Sequence, residues 1–116
     1  MKHVLVVDDE EAITYIFRRY LEAAGYRVST AGDGLEALEV AGRETIDALV
    51  TDIRMPRMSG DKLIAALRPR YPDLPITVVS AYAIEMGSWP GVRVLSKPVD
   101  AASLIASVGA MLGDRA

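Results

Sequence analysis

Short apolar runs alternate with amphipathic stretches along the whole chain, and no linker or low-complexity segment interrupts them. The first run, Val4–Val7, predicts a buried strand, yet it leads straight into the acids Asp8, Asp9, Glu10 and Glu11. From Glu10 to Ala24 the residues Ile13, Ile16, Phe17, Tyr20, Leu21 and Ala24 recur at helical spacing, and Gly25 supplies the stop. Tyr26–Ala31 alternates like a strand. Behind the turn Gly32-Asp33-Gly34, Leu35 to Arg43 reads as a second, alanine-rich helix. Ile46–Thr51 is another apolar run ending in an acid, Asp52.

After the segment DIRMPRMSG a third helix is expected, with Ser59 as its cap and Leu63, Ile64 and Leu67 facing inward; RPRYPDLP ends it. Ile76–Val79 is a fourth strand, terminated by Ser80, and Val92–Leu95 a fifth, ending at Ser96-Lys97-Pro98. Asp100 then caps a last helix carrying Leu104, Ile105, Val108 and Leu112. Strands alternating with helices predict an α/β fold with a parallel sheet covered on both faces. The connection over residues 81–91 contains Gly87, Pro90 and Gly91 and has room for only about two helical turns, so its helix is expected to be shortened.

At 116 residues the chain is expected to form one domain, 1–116, with a substantial core. The hydrophobic share of 51% separates it from disordered tails, and a net charge of −3 argues against direct nucleic-acid binding. The absence of cysteine excludes disulfides, thiolate metal sites and thiol chemistry, and fits a cytoplasmic location. No secretory leader and no membrane span is expected, because Met1-Lys2-His3 enters a strand and no apolar run is long enough.

In an open parallel sheet the ligand site lies outside the carboxyl ends of the strands. The polar residues expected there are Asp8 and Asp9, Asp52, Ser80 and Lys97. Carboxylates converging on one spot repel one another unless a cation joins them. Hard oxygen donors suit Mg²⁺, while a hydroxyl and an ammonium are donors that hold a phosphoryl oxygen. The set therefore points to metal-assisted phosphoryl chemistry with Asp52, at the centre, as the nucleophile. Each residue also has a plainer reading. Acids before a helix contribute about 0.3–1 kcal/mol each against its dipole, and Glu10 and Glu11 are assigned that role alone. Asp52 capping a turn, Ser80 ending a strand and Lys97 in solvent are each reasonable singly; their coincidence at four strand ends is what disfavours them.

The segments VLVVDDEE, DALVTDIRMPRMSG, ITVVSAYA and VLSKP, in this order and spacing, resemble the receiver domain of two-component response regulators over essentially the whole chain. The resemblance implies a flavodoxin-like, doubly wound sheet of five parallel strands in the order 2-1-3-4-5. It implies that Asp52 accepts a phosphoryl group from a sensor histidine kinase or phosphotransfer protein and switches binding to a downstream effector or to a second copy of the chain. Asp9, Asp52 and the backbone carbonyl of Arg54 would ligand Mg²⁺ directly, and Asp8 through a metal-bound water. Ser80 and Lys97 would contact the phosphoryl oxygens. A cis Lys97-Pro98 peptide is also implied.

Two other classes compete. A small Mg²⁺-dependent phosphohydrolase would also form an aspartyl phosphate, but such enzymes typically carry a second acid two positions after the nucleophile, where this chain has Arg54. A pseudo-receiver, an interaction module without phosphorylation, is disfavoured by the intact set of acids, hydroxyl and lysine. No effector is expected within these 116 residues, and a stand-alone receiver and the receiver of a longer regulator both fit. Gly60 is expected to permit tight packing beside the acceptor, and Pro56 to fix the loop. His3 is expected at the surface, and Trp89 as a half-buried loop anchor. One departure from the family stands out. The aromatic that relatives carry three positions before the lysine is Val94 here, whose stiff χ1 does not suit a two-position switch. Phosphorylation is expected instead to reorder residues 81–91, with Tyr82 or Trp89 moving; an output face on the first helix is the alternative.

Overall fold

The computed structural model describes residues 1–81 and 91–113. In chain order the elements are β1 (His3–Val7), α1 (Glu11–Ala23), β2 (Arg27–Ala31), α2 (Gly34–Arg43), β3 (Ala48–Asp52), α3 (Gly60–Leu67), β4 (Ile76–Ser80), β5 (Val92–Ser96) and α4 (Ala101–Leu112). The five strands form one sheet in the order β2-β1-β3-β4-β5, and every neighbouring pair is parallel. This is the doubly wound arrangement and order expected from the sequence. The shortened helix expected between β4 and β5, and with it Tyr82 and Trp89, lies outside the described residues.

The strands β1, β3 and β4 are buried along their whole length, which is why their sequences are almost continuously apolar. Alternation along them sorts the core into two layers. Leu5, Val7, Leu49, Ile76 and Val78 face α2 and α3, packing with Ala37, Val40, Leu63, Ile64 and Leu67. Val4, Val6, Ala48, Val50 and Val79 face α1 and α4, packing with Phe17, Leu21, Leu104 and Val108. The edge strand β5 is only partly covered, and Val94 is 44% exposed there.

Local signals set the element ends. Asp33 caps α2 by accepting from the Glu36 amide, and Asp100 caps α4 by accepting from the Ser103 amide. Gly113, at φ 74°, ends α4 in the left-handed conformation that glycine adopts without strain. Ser59 departs from expectation. It stands at the N-cap position of α3, but its hydroxyl bonds the Asp61 carboxylate and makes no side-chain cap bond.

His3 corrects the sequence reading more clearly. It is 3% exposed rather than at the surface, because β1 is central and begins at His3 itself. Its ring nitrogens lie 2.9 Å from the Thr45 carbonyl oxygen and 2.7 Å from the Ser29 hydroxyl, while its amide donates to Asp47 Oδ2 at 2.7 Å. The imidazole thus ties β1, β2 and the approach to β3 together at the amino end of the sheet.

At the carboxyl end, the Gly60 amide donates to the Ile53 carbonyl at 2.7 Å, and a Cβ at Gly60 would lie 2.0 Å from the Asp52 carbonyl oxygen. Gly60 therefore allows the close approach expected beside Asp52. Replacing Gly60 with alanine should destabilise the fold by about 1–3 kcal/mol, as an overpacked site does. Urea unfolding of the two proteins measures the difference.

Candidate phosphoryl and metal site

Parallel pairing brings the carboxyl ends of β1, β3, β4 and β5 to one edge of the sheet. Val7 is in register with Thr51, Asp52 with Val79, and Ser80 with Ser96. Each predicted site residue therefore stands at, or one or two steps beyond, the end of a strand. The crevice lies where the chain reverses direction across the sheet, between β1 and β3.

Asp8, Asp9 and Asp52 each present a carboxylate oxygen, and these three oxygens all lie within 4.8 Å of one another. Asp8 and Asp52 are buried, whereas Asp9 is exposed. Lys97 reaches in from the end of β5, with its Nζ 3.0 Å from Asp8 Oδ2 and 3.2 Å from Asp52 Oδ2. The Lys97 amide donates to the Ser80 carbonyl at 3.0 Å, so the two residues share a backbone link as well as an edge. The Lys97-Pro98 peptide is cis, as the resemblance implied. Ser80 is buried at the end of β4. Arg54 is exposed in the loop that follows Asp52.

The donor chemistry fits Mg²⁺. Hard carboxylate oxygens gathered within 4.8 Å of one another suit a small octahedral ion that takes one or two carboxylates directly and keeps several of its waters. Burial raises the pKa of Asp8 above its ordinary range, and the Asp52 charge adds to this; the Glu10 amide, 3.0 Å from Asp8 Oδ1, and Lys97 oppose it. For Lys97, burial favours the neutral amine, but the Asp8 and Asp52 carboxylates outweigh it and hold the pKa above the usual lysine value.

The loop leaving Asp52 is tightly fastened. The Ile53 amide donates back to Asp52 Oδ1 at 2.7 Å, and the Met58 amide donates to the Pro56 carbonyl at 2.7 Å. Arg57, between those two residues, has φ 64°, a left-handed conformation that costs a non-glycine residue about 1–2 kcal/mol. Its guanidinium Nε lies 2.7 Å from Asp33 Oδ2 at the head of α2. Contact with Arg57 and the Glu36 amide together hold the Asp33 pKa below the ordinary carboxylate range. The sequence placed Asp33 in a turn and Arg57 in a shaped loop, but nothing in their spacing joined them. Aspartate just before a helix was the one available signal.

The chain matches the profile described as "Response regulator receiver domain" over residues 4–109. Response regulator MprA of Mycobacterium leprae (strain TN) is 46% identical over 78 residues, which cover 67% of this chain and 34% of that protein. Among solved structures, the receiver domain of the hybrid histidine kinase CckA is 36% identical with a TM-score of 0.84, covering 95% of this chain and 98% of the other. Response regulator protein TrrA of Thermotoga maritima, solved in complex with Mg²⁺ and BeF, is 31% identical with a TM-score of 0.88, covering 97% of this chain and 100% of that one.

Fold and site together define a flavodoxin-like signalling domain with an acidic crevice. The chain belongs to the response regulator receiver domain family, whose general function is phosphorelay in two-component systems and whose members bind Mg²⁺ through acidic residues. No helix among the described residues is long and apolar enough to cross a membrane.

The pKa shifts give stability a definite pH dependence in the absence of metal. Asp8 holds its proton more tightly in the native chain than when unfolded. Its contribution therefore falls as pH rises from about 3.8 through its raised native pKa. Lys97 acts with the other sign: its stabilisation is complete below 10.5 and is lost as pH rises through its higher native pKa. In EDTA, the urea midpoint should decline as pH rises above about 4, and Asp8→Asn should flatten that decline. An equal slope in both proteins contradicts the assignment.

Proposed function

We propose that this chain is a single receiver domain, 1–116, whose Asp52 is phosphorylated in a Mg²⁺-dependent reaction and thereby switches partner binding. The observation that carries the reading is the convergence of Asp8, Asp9 and Asp52 with the Lys97 ammonium bridging Asp8 and Asp52.

Asp9, Asp52 and the Arg54 carbonyl would hold Mg²⁺, with Asp8 acting through a bound water, and the bound ion supplies the positive charge that a phosphoryl dianion needs to approach this acidic crevice. A carboxylate oxygen of Asp52 attacks the donor phosphorus. The bond from phosphorus to the donor's leaving atom breaks, and its electron pair departs with that atom, a histidine nitrogen if the donor is a kinase. Lys97 already stands beside the acceptor and offers its ammonium to a phosphoryl oxygen. Ser80, one step beyond the register partner of Asp52, offers its hydroxyl to another. Attack of water on the aspartyl phosphate returns the carboxylate and inorganic phosphate, so the catalysis is confined to the chain's own phosphorylation and dephosphorylation.

The donor in this reading is a sensor histidine kinase or phosphotransfer protein, and the recipient of the signal an effector protein or domain. The match occupies 34% of the length of response regulator MprA, which leaves room in that protein for a further segment and so supports this reading. The reading places the chain in the cytoplasm, where such kinases present their phosphohistidine.

Incubation with acetyl phosphate and Mg²⁺ should add one phosphoryl mass to the wild type and none to Asp52→Asn or to protein in EDTA. Unchanged labelling of either control overturns the assignment. A pseudo-receiver takes no label, and a phosphohydrolase would instead turn over a generic phosphate ester.

Lys97 should serve the phosphorylated state more than the fold. Lys97→Ala should lose a little stability through the unrelieved repulsion of Asp8 and Asp52. It should still bind Mg²⁺ by titration calorimetry, and fail to show the change in amide exchange that phosphorylation produces in the wild type. Loss of metal binding together with unfolding would make Lys97 structural.

A further inference from the structure

The loop over residues 53–59 joins the acceptor strand β3 to α3, and its shape decides where the Arg54 carbonyl lies relative to Asp52. At its base it is closed by the Gly60 amide on the Ile53 carbonyl. At its tip it is fastened to α2. The Gly34 amide donates to the Met58 carbonyl at 3.1 Å, and a Cβ at Gly34 would lie 2.8 Å from that carbonyl oxygen, so the two backbones are in direct contact. Beside this contact, Arg57 holds its left-handed backbone conformation while its guanidinium bonds Asp33. Both oxygens of Asp33 are engaged: Oδ1 takes the Glu36 amide at 2.9 Å and Oδ2 takes Arg57 Nε at 2.7 Å.

A residue in a sparsely populated conformation persists only when its surroundings hold it there. Arg57 is largely exposed, so packing does not hold it, whereas the Asp33 carboxyl is nearly buried and fixed by the helix it caps. We infer that the Arg57–Asp33 pair is a positioning device, which uses the head of α2 to hold the strained turn at Arg57 and so fixes the loop backbone that carries the Arg54 carbonyl, the ligand proposed for the metal beside Asp52. The inference rests on the Mg²⁺-dependent reading of that site. Neither residue touches the ion or the phosphoryl group; both act through the loop backbone.

Two substitutions that remove the same charge separate this role from simple electrostatics. Alanine at position 57 loses the pair and keeps the strain, whereas glycine adopts the left-handed turn freely. Asp33→Asn keeps an amide oxygen to cap α2 but drops the charge that draws Arg57. By titration calorimetry, Arg57→Ala and Asp33→Asn should each bind Mg²⁺ about 3–10-fold more weakly than wild type, less than the loss of about 10–100-fold that follows removal of a group bonded to a metal ligand. Arg57→Gly should stay within about twofold of wild type, and the double variant Asp33→Asn, Arg57→Ala should be no weaker than the weaker single one. In metal-free protein, amides of residues 55–60 should exchange faster in Arg57→Ala and at the wild-type rate in Arg57→Gly. Arg57→Ala behaving as wild type, or Arg57→Gly as weak as Arg57→Ala, overturns the proposal. If the wild type neither binds Mg²⁺ nor takes label on Asp52, the metal reading itself fails. The exchange rates then judge the clamp alone, and an unchanged rate in Arg57→Ala overturns it.

Discussion

Three carboxylates brought within 4.8 Å of one another are the constraint on which the rest of this molecule depends. At an effective dielectric constant near 20, two unit negative charges about 4 Å apart repel by about 4 kcal/mol. A parallel sheet cannot avoid the problem once acids stand at the ends of β1 and β3, because all its strands finish at the same edge. Lys97 provides the relief within the chain. It comes from β5, which lies beyond β4 from the acceptor strand, and its ammonium reaches both Asp8 and Asp52. Burial raises the Asp8 pKa, and the nearby Asp52 charge adds to the rise.

The surroundings keep the acids where they repel. Gly60 lets the start of α3 press against the Asp52 backbone, and Gly34 lets the head of α2 press against Met58. Hydrogen bonding from Ile53 and Gly60 closes the loop on itself. On the opposite face, β4 is tied to α4 by a buried hydroxyl pair: Thr77 Oγ1 and Ser107 Oγ stand 2.9 Å apart, with Met111 Sδ also within reach of Thr77. The strand that presents Ser80 is thereby joined to the last helix through the core.

The two ends of the sheet divide their duties. The amino end is fastened by His3, whose ring spans from Ser29 to Thr45, and by the ion pair of Arg27 with Glu44 across the exposed edge of β2. The carboxyl end gathers Asp8, Asp9 and Asp52 around Lys97. At the far edge, β5 carries Val94, a half-exposed aliphatic residue where the family resemblance led one to expect an aromatic ring.

Much of this was legible in the sequence because it depends on local patterns. Continuous apolar runs marked β1, β3 and β4 as strands covered on both sides, and helical spacing marked the inward faces of α1, α3 and α4. Asp100 before Ala101 marked a cap, and a glycine beside the acceptor marked a close backbone approach. The rule that parallel strands share a ligand edge brings Asp8, Asp9, Asp52, Ser80 and Lys97 together from the order of the strands alone. What only the tertiary structure decided involves partners distant in sequence. His3 follows a lysine and precedes the apolar run, so it read as exposed; its burial comes from β2 and the residues before β3 closing over it. Ser59 had the right identity and position for a cap, yet Asp61 captured its hydroxyl. Arg57 and Asp33 carry no common periodicity, and their ion pair exists because the sheet order places the loop after β3 against the head of α2. Periodicity records which way a side chain faces; its partner is set by how the layers stack, which is a property of the whole chain.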